Sequence, residues 1–228
     1  MNRLLFRALA GVAALTLAAS FASADPLAAS TVLTSGPLTF TGFTATINGT
    51  GSYSPTTVSG MSVDALTIGQ PGIQFTGALD AFGAGSSGDV ALSYVATAAR
   101  GTMINDIFLG LSGAILVGNS NVAITECAYA NAAHTVLLGG NCLQVTDPPP
   151  VLSGELTLGG NYSTVYVTKD INFNANSCTG MGCPPQAGLS IIDQRFSTVP
   201  EPGTLALFGA GLLGCGLAIA RRRRSMQS

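Results

Sequence analysis

The residues of this 228-residue chain that could do chemistry are four clustered cysteines, one histidine, one unusually placed lysine and a thin scatter of carboxylates. Cys127, Cys142, Cys178 and Cys183 form an even set, which in an oxidising compartment reads as disulfides. Four cysteines allow three pairings. Local spacing favours Cys127 with Cys142 across a hairpin, and Cys178 with Cys183 around Thr179-Gly180-Met181-Gly182. Zinc is the alternative chemistry, and Cys178-x4-Cys183 has a tolerable ligand spacing for it. The other pair is too widely separated for a metal knuckle, and an oxidising compartment would disfavour free thiolates. No metal and no cofactor is expected. Cys215 stands apart, in an apolar run near the carboxyl end.

His134 is the only histidine. A hydrolytic triad needs a nucleophile, a base and an orienting acid, yet His134 sits in an alanine-rich connection with no motif around any serine. It reads as a turn or surface residue. Asp80, Asp89, Asp106 and Glu155 are the acids from which a glycosidase pair would be drawn, but they are dispersed along the chain. Solvated positions or isolated calcium ligands fit them better, and no EF-hand spacing appears. Lys169 falls on the same strand face as Val167 and Ile171, which suggests an ion pair or a stem laid over apolar surface. The run 209–214 spells G-x-G-x-x-G, but no strand precedes it and no ribose-binding acid follows, so it is not a dinucleotide site. Asn48-Gly49-Thr50 and Asn161-Tyr162-Ser163 match glycosylation sequons by chance. With no catalytic residue to nominate, the expectation is a protein that is not an enzyme.

The two ends are more informative. Arg3 and Arg7, an apolar stretch over 8–19, and Ala22-Ser23-Ala24 compose a secretory signal peptide over residues 1–24, cleaved between Ala24 and Asp25. At the other end, Pro200-Glu201-Pro202 leads into an apolar run whose spanning part is placed at about 204–220. Arg221, Arg222, Arg223 and Arg224 close it, and a basic tail over 221–228 should remain cytoplasmic, holding the large domain outside. Ala206, Ala210, Gly214 and Ala218 recur every four residues, a stripe along which a second helix could approach.

Motif, apolar run and arginine cluster, in that order within the last thirty residues, resemble the PEP-CTERM sorting domain of exported proteins from Gram-negative bacteria that make extracellular polysaccharide. The resemblance implies recognition near Pro200-Glu201-Pro202 by an exosortase, a membrane protease, after passage through the Sec translocon and signal peptidase. It also implies residence in the inner membrane during sorting, with a transient or permanent C-terminal anchor, and then delivery to the cell surface or extracellular matrix.

Between the ends, residues 25–199 form one exported domain, with 200–228 as the sorting and anchor segment. The domain carries ten carboxylates against Arg100, Lys169 and Arg195, a net charge of −7 hidden by the whole-chain value of −2. Such a domain will not bind nucleic acid by neutralising phosphates. Low charge, no Trp and abundant Gly, Ser, Thr and Val fit many short strands. Strands are expected over 39–47, ended by an Asn48-Gly49 turn; over 90–97; in a pair over 120–129 and 136–146; over 164–173; and over 189–196. Asp147-Pro148-Pro149-Pro150 marks a loop, and 85–88 and 174–188 read as mobile loops. The fold class is therefore all-β, an antiparallel β-sandwich of jelly-roll character, flanked by an N-terminal signal helix and a C-terminal transmembrane helix.

Functionally, the chain reads as a non-enzymatic, exosortase-sorted surface or matrix protein associated with exopolysaccharide or biofilm. A carbohydrate-binding module for extracellular polysaccharide is the first alternative. A secreted carboxylate-dependent glycoside hydrolase is the second.

Overall fold

A computed structural model of the chain describes residues 25–179 and 182–201, with isolated positions 203, 207, 209, 210 and 213. The signal segment, Pro202 and the arginine cluster lie outside the described residues. So does nearly all of the apolar run, and no described helix is long and apolar enough to cross a membrane.

The domain is all-β, apart from one turn of 3-10 helix at Val58–Gly60. In chain order the strands are β1 (Asp25–Pro26), β2 (Leu33–Ser35), β3 (Leu38–Ser54), β4 (Met61–Ala65), β5 (Gly72–Ala98), β6 (Thr102–Ser112) and β7 (Ile115–Val117). They continue with β8 (Ser120–Tyr129), β9 (Leu143–Asp147), β10 (Ser153–Tyr162), β11 (Thr164–Ala175) and β12 (Gln186–Pro200). All pairings are antiparallel and join into one hydrogen-bonded sheet.

That sheet folds onto itself because β5 takes part in two layers. Its first part, residues 72–82, pairs with β12 on one side and β4 on the other. Its second part, residues 86–98, pairs with β11 and β3. The first layer runs β10–β6–β12–β5–β4–β1 and the second β9–β8–β11–β5–β3–β2. Between the two parts of β5, Gly83 (φ +91°) and Gly85 (φ +80°) adopt a backbone region open mainly to glycine. In the neighbouring β3, Gly51 (φ +69°) sits at a register shift between Thr50 and Ser52. A bulge of this kind increases local twist and bends both strands together.

Strand alternation supplies the core. Val165, Val167, Ile171 and Phe173 of β11 point inward, as do Val90, Leu92, Tyr94 and Ala96 of β5. Rings from opposite layers meet: Phe40 of β3 lies 5.4 Å from Phe196 of β12, and Phe75 from the first part of β5 lies 5.8 Å from Tyr94 in the second. Such pairs add about 0.5–1.5 kcal/mol each beyond the area they bury.

Several sequence expectations need correction. Asn48-Gly49 is not a turn, because β3 continues to Ser54. Gly49 gives room instead: a Cβ there would run into the Ser87 carbonyl and the Tyr53 ring. Residues 85–88 are not a loop but the middle of β5, where Gly88 is covered by the Phe173 ring. The expected strand over 136–146 is mostly irregular; only Leu137 bridges to Tyr129 before β9 begins at Leu143. The last strand, expected over 189–196, runs from Gln186 to Pro200.

Candidate functional site

Three places in the fold carry functional side chains: the end of β12, the outer face of the second layer, and a polar group inside the core.

At the end of β12, Val199 pairs with Met103 and Pro200 with Thr102, and the Glu201 backbone N–H donates to the Gly101 carbonyl at 3.0 Å. Two residues of the Pro-Glu-Pro motif are thus held against the β5–β6 connection, while Pro202 lies outside the described residues. At the other boundary Asp25 begins β1 and pairs with Val63; Ala24 lies outside the described residues.

The outer face of the second layer is built from hydroxyl, amide and carboxylate side chains in cross-strand rows. One row runs Thr44–Ser93–Thr168–Cys127, the next Thr46–Ala91–Asp170–Thr125–Gln144, and the next Asn48–Asp89–Asn172–Ala123–Thr146. Thr44 and Ser93 share a hydroxyl hydrogen bond of 2.7 Å, and Asn172 Nδ2 donates to Asp170 Oδ1 at 2.9 Å. A depression of about 570 Å³ lies over the first two of these rows, and His134 is part of its lining. His134 has φ +53° and stands 5.1 Å from Tyr129 and 6.5 Å from Tyr166, ring centroid to ring centroid. The single histidine therefore closes an aromatic edge beside a polar floor. Burial first, and then the Asp170 carboxylate, raise the Asp89 carboxyl above its ordinary range.

The acids weighed as a hydrolytic pair divide between the layers, Asp80, Asp106 and Glu155 in the first and Asp89 in the second, and Glu155 stands two residues along β10 from Thr157, the partner of Asp106. Asp80 accepts from Gln186 Nε2 at 3.0 Å in the first layer, whereas Asp89 lies in the second. Asp106 is held by Asn105 Nδ2 at 3.0 Å on β6, and Glu155 lies on β10 opposite Phe108. Among the described residues no group of three or more His, Cys, Asp or Glu side chains could hold a metal. The cysteines pair as their spacing favours, Cys127 with Cys142 (Cα–Cα 4.5 Å) and Cys178 with Cys183 (Cα–Cα 5.8 Å). The first bond ties the end of β8 to the residue before β9 and closes the loop that carries His134.

The third place was only half visible in the sequence. Lys169 is buried, with its Nζ in contact with Glu126 Oε2 and Gln194 Oε1 and 6.0 Å from the centre of the Phe75 ring. Glu126 and Lys169 are direct cross-strand partners in the second layer, and Gln194 reaches Lys169 from β12 in the first. Gln194 Nε2 donates to the Phe108 carbonyl at 3.1 Å. Glu126 Oε1 is buried with no hydrogen-bond partner among the described residues. Burial holds the Lys169 amine well below the usual lysine range. Of the two readings offered for Lys169, an acidic partner or a stem over apolar surface, the structure supplies the acidic partner, Glu126. Glu126 and Gln194 went unnoticed, although each breaks an apolar alternation: Ile124, Glu126, Ala128 and Ile192, Gln194, Phe196.

These features define an all-β protein whose two layers close into a barrel or sandwich. More particularly, residues 198–224 match the family model for the PEP-CTERM protein-sorting motif, and the chain carries that motif. It is the mark of an exported, exosortase-processed protein with a C-terminal anchor. A comparison with curated proteins finds no match. Among solved structures, accessory secretory protein 1, 2 and 3 of Streptococcus pneumoniae is similar at 12% identity and TM-score 0.34, over 66% of this chain and 95% of that one. TmCBM61 in complex with β-1,4-galactotriose is similar at 12% identity and TM-score 0.28, over 69% and 88%. A carbohydrate-binding module of the β-sandwich superfamily is similar at 14% identity and TM-score 0.30, over 69% and 57%. These likenesses are too distant to bear on the site, which stands on the side chains of this chain.

Proposed function

We propose that this chain is a non-enzymatic protein of the cell surface or extracellular matrix, delivered by the exosortase route, whose sandwich of jelly-roll character associates with extracellular polysaccharide. The delivery reading is carried by the sorting motif over 198–224. Its test is replacement of Pro200, Glu201 and Pro202 by alanine. Processing and surface delivery should fail, and unchanged delivery would sink the route.

A more specific reading, a carbohydrate-binding module, is favoured by one observation: a depression lined by the Thr44, Thr46, Ser93, Thr125 and Thr168 side chains and by Asp170 and His134, with the Tyr129 and Tyr166 rings standing against that histidine. Sugar recognition needs polar groups in fixed positions and an apolar ring for the faces of the pyranose. With no Trp in the sequence, the tyrosines take that part. The net acidity of the domain suits neutral glycans better than anionic ones. A glycan array should show binding that falls at least tenfold in Tyr129→Ala and Tyr166→Ala, a loss of about 1.4 kcal/mol. An empty array, with and without calcium, would count against this reading. Polymer mass should stay unchanged after incubation; a fall would identify a hydrolase instead.

A further inference from the structure

We propose that Lys169 and Gln194 are the two ends of an intramolecular isopeptide bond that joins the two layers of the sandwich, formed with Glu126 as the group that moves the proton. The inference is independent of the sorting and glycan readings.

Three functional groups meet in a dry place. The Lys169 amine touches both the Gln194 carboxamide and the Glu126 carboxyl, with Glu126 and Gln194 at 0% exposure and Lys169 at 2%. A lysine in the middle of a sheet's apolar face is costly as an ammonium, since desolvation is poorly repaid by one partner. Burial shifts this one toward the free amine, which carries the lone pair a nucleophile needs. The proton it gives up has an obvious holder. Glu126 Oε2 touches Nζ, and the unpartnered Oε1 of the same carboxyl is better tolerated on a neutral acid than on a carboxylate.

The electrophile is the carboxamide carbon of Gln194, whose oxygen already accepts from Nζ. The Phe108 carbonyl fixes the amide nitrogen at 3.1 Å and so sets the orientation of the group. In the reaction a bond forms between Lys169 Nζ and Gln194 Cδ, and the bond between Cδ and Nε2 breaks. Glu126 donates its proton to the carbonyl oxygen as Nζ attacks, takes a proton from the attacking nitrogen and passes it to Nε2, then recovers the oxygen's proton as the carbonyl re-forms and Nε2 departs as ammonia. The sum is amine plus carboxamide giving secondary amide plus ammonia, with no oxidant and no cofactor. Holding the reactants side by side supplies the effective concentration that an uncatalysed amide exchange lacks. Exclusion of water removes the competing hydrolysis.

The surroundings favour persistence of the product. The secondary amide is neutral, so it replaces a buried amine and a primary carboxamide by a single polar link beside Phe75, and leaves Glu126 with no cation to face. It also ties β11 to β12, strands that are not hydrogen-bonded to each other.

The test is peptide mapping of the full-length chain recovered from producing cells, after reduction and denaturation. Cleavage before aspartates separates 147–169, 170–192 and the peptide beginning at 193, and trypsin then trims the last to 193–195. The expected species is 147–169 joined to 193–195, lighter than the sum of the two by one ammonia. Two free peptides of unmodified mass would overturn the proposal. A link from Lys169 to Glu126 with loss of water would overturn the assignment of Gln194. Glu126→Gln keeps the shape of the group but cannot shuttle the proton, and it should abolish the joined species while the chain still resists protease. A joined species persisting in that variant would remove Glu126 from the reaction.

Discussion

Removing the Cys127–Cys142 bond offers a quantitative test, because the second bond serves as an internal control. The two bonds close loops of very different length, with sequence separations of 15 and 5. The loop-closure relation gives about 3 kcal/mol for the longer and about 2 kcal/mol for the shorter, from restriction of the unfolded chain alone. For a domain of this size each kcal/mol moves the midpoint of unfolding by about 2–4 °C. The double variant Cys127→Ala/Cys142→Ala should therefore melt about 6–12 °C lower, and Cys178→Ala/Cys183→Ala about 4–8 °C lower. Native packing adds to the asymmetry. Cys127 lies within β8 on the row with Thr168 and Ser93, whereas Cys178 and Cys183 lie between β11 and β12. The assay is thermal unfolding followed by circular dichroism on the purified chain, with each double variant compared under non-reducing conditions. If the variant lacking the short loop is destabilised as much as the other or more, loop closure does not govern these bonds.

Other expectations are simpler. Gly88→Ala places a methyl group in the Phe173 ring, and denaturant unfolding should register a loss of about 1–3 kcal/mol, more if the ring cannot shift. Phe196→Ala removes a fully buried ring that touches Phe40 across the layers, at a cost of about 3–5 kcal/mol in the same measurement. Asp170→Asn deletes the smaller cause of the raised Asp89 carboxyl, so its titration, followed by NMR, should move down yet stay above the ordinary value because burial remains. The sign for stability follows. A raised folded value stabilises the domain at pH below the ordinary carboxylate value, and that contribution is lost as pH rises through the folded value. The variant should narrow this window, and an unmoved Asp89 titration would refute the coupling.

Much of the fold was legible wherever one face of a strand is buried. The alternation of Val165, Val167, Lys169, Ile171 and Phe173 marks β11 and even places the lysine inward. Legibility failed where glycine serves close packing. Gly49 and Gly88 make room for the Tyr53 and Phe173 rings in continuous strands, and a sequence cannot distinguish that use from a turn. It failed again for the 27-residue β5, because participation in two layers depends on partners remote in the chain. The polar core group shows the same division. Inward alternation marks Glu126 and Gln194 individually, but their meeting with Lys169 requires the register of β8 on β11 and the facing of β12. The sorting motif over 198–224 was legible as well, since a linear signal carries its meaning in residue order.

β12 is an interior strand, hydrogen-bonded to β6 and β7 along one side and to β5 along the other, and it passes straight into the sorting segment. A membrane tether pulling on that end would drag the strand lengthwise between its two neighbours. Its hydrogen bonds would then have to yield together in shear, whereas an edge strand would peel away one bond at a time. The domain is in this way joined to its anchor through an interior strand and not through one at the edge of the sheet.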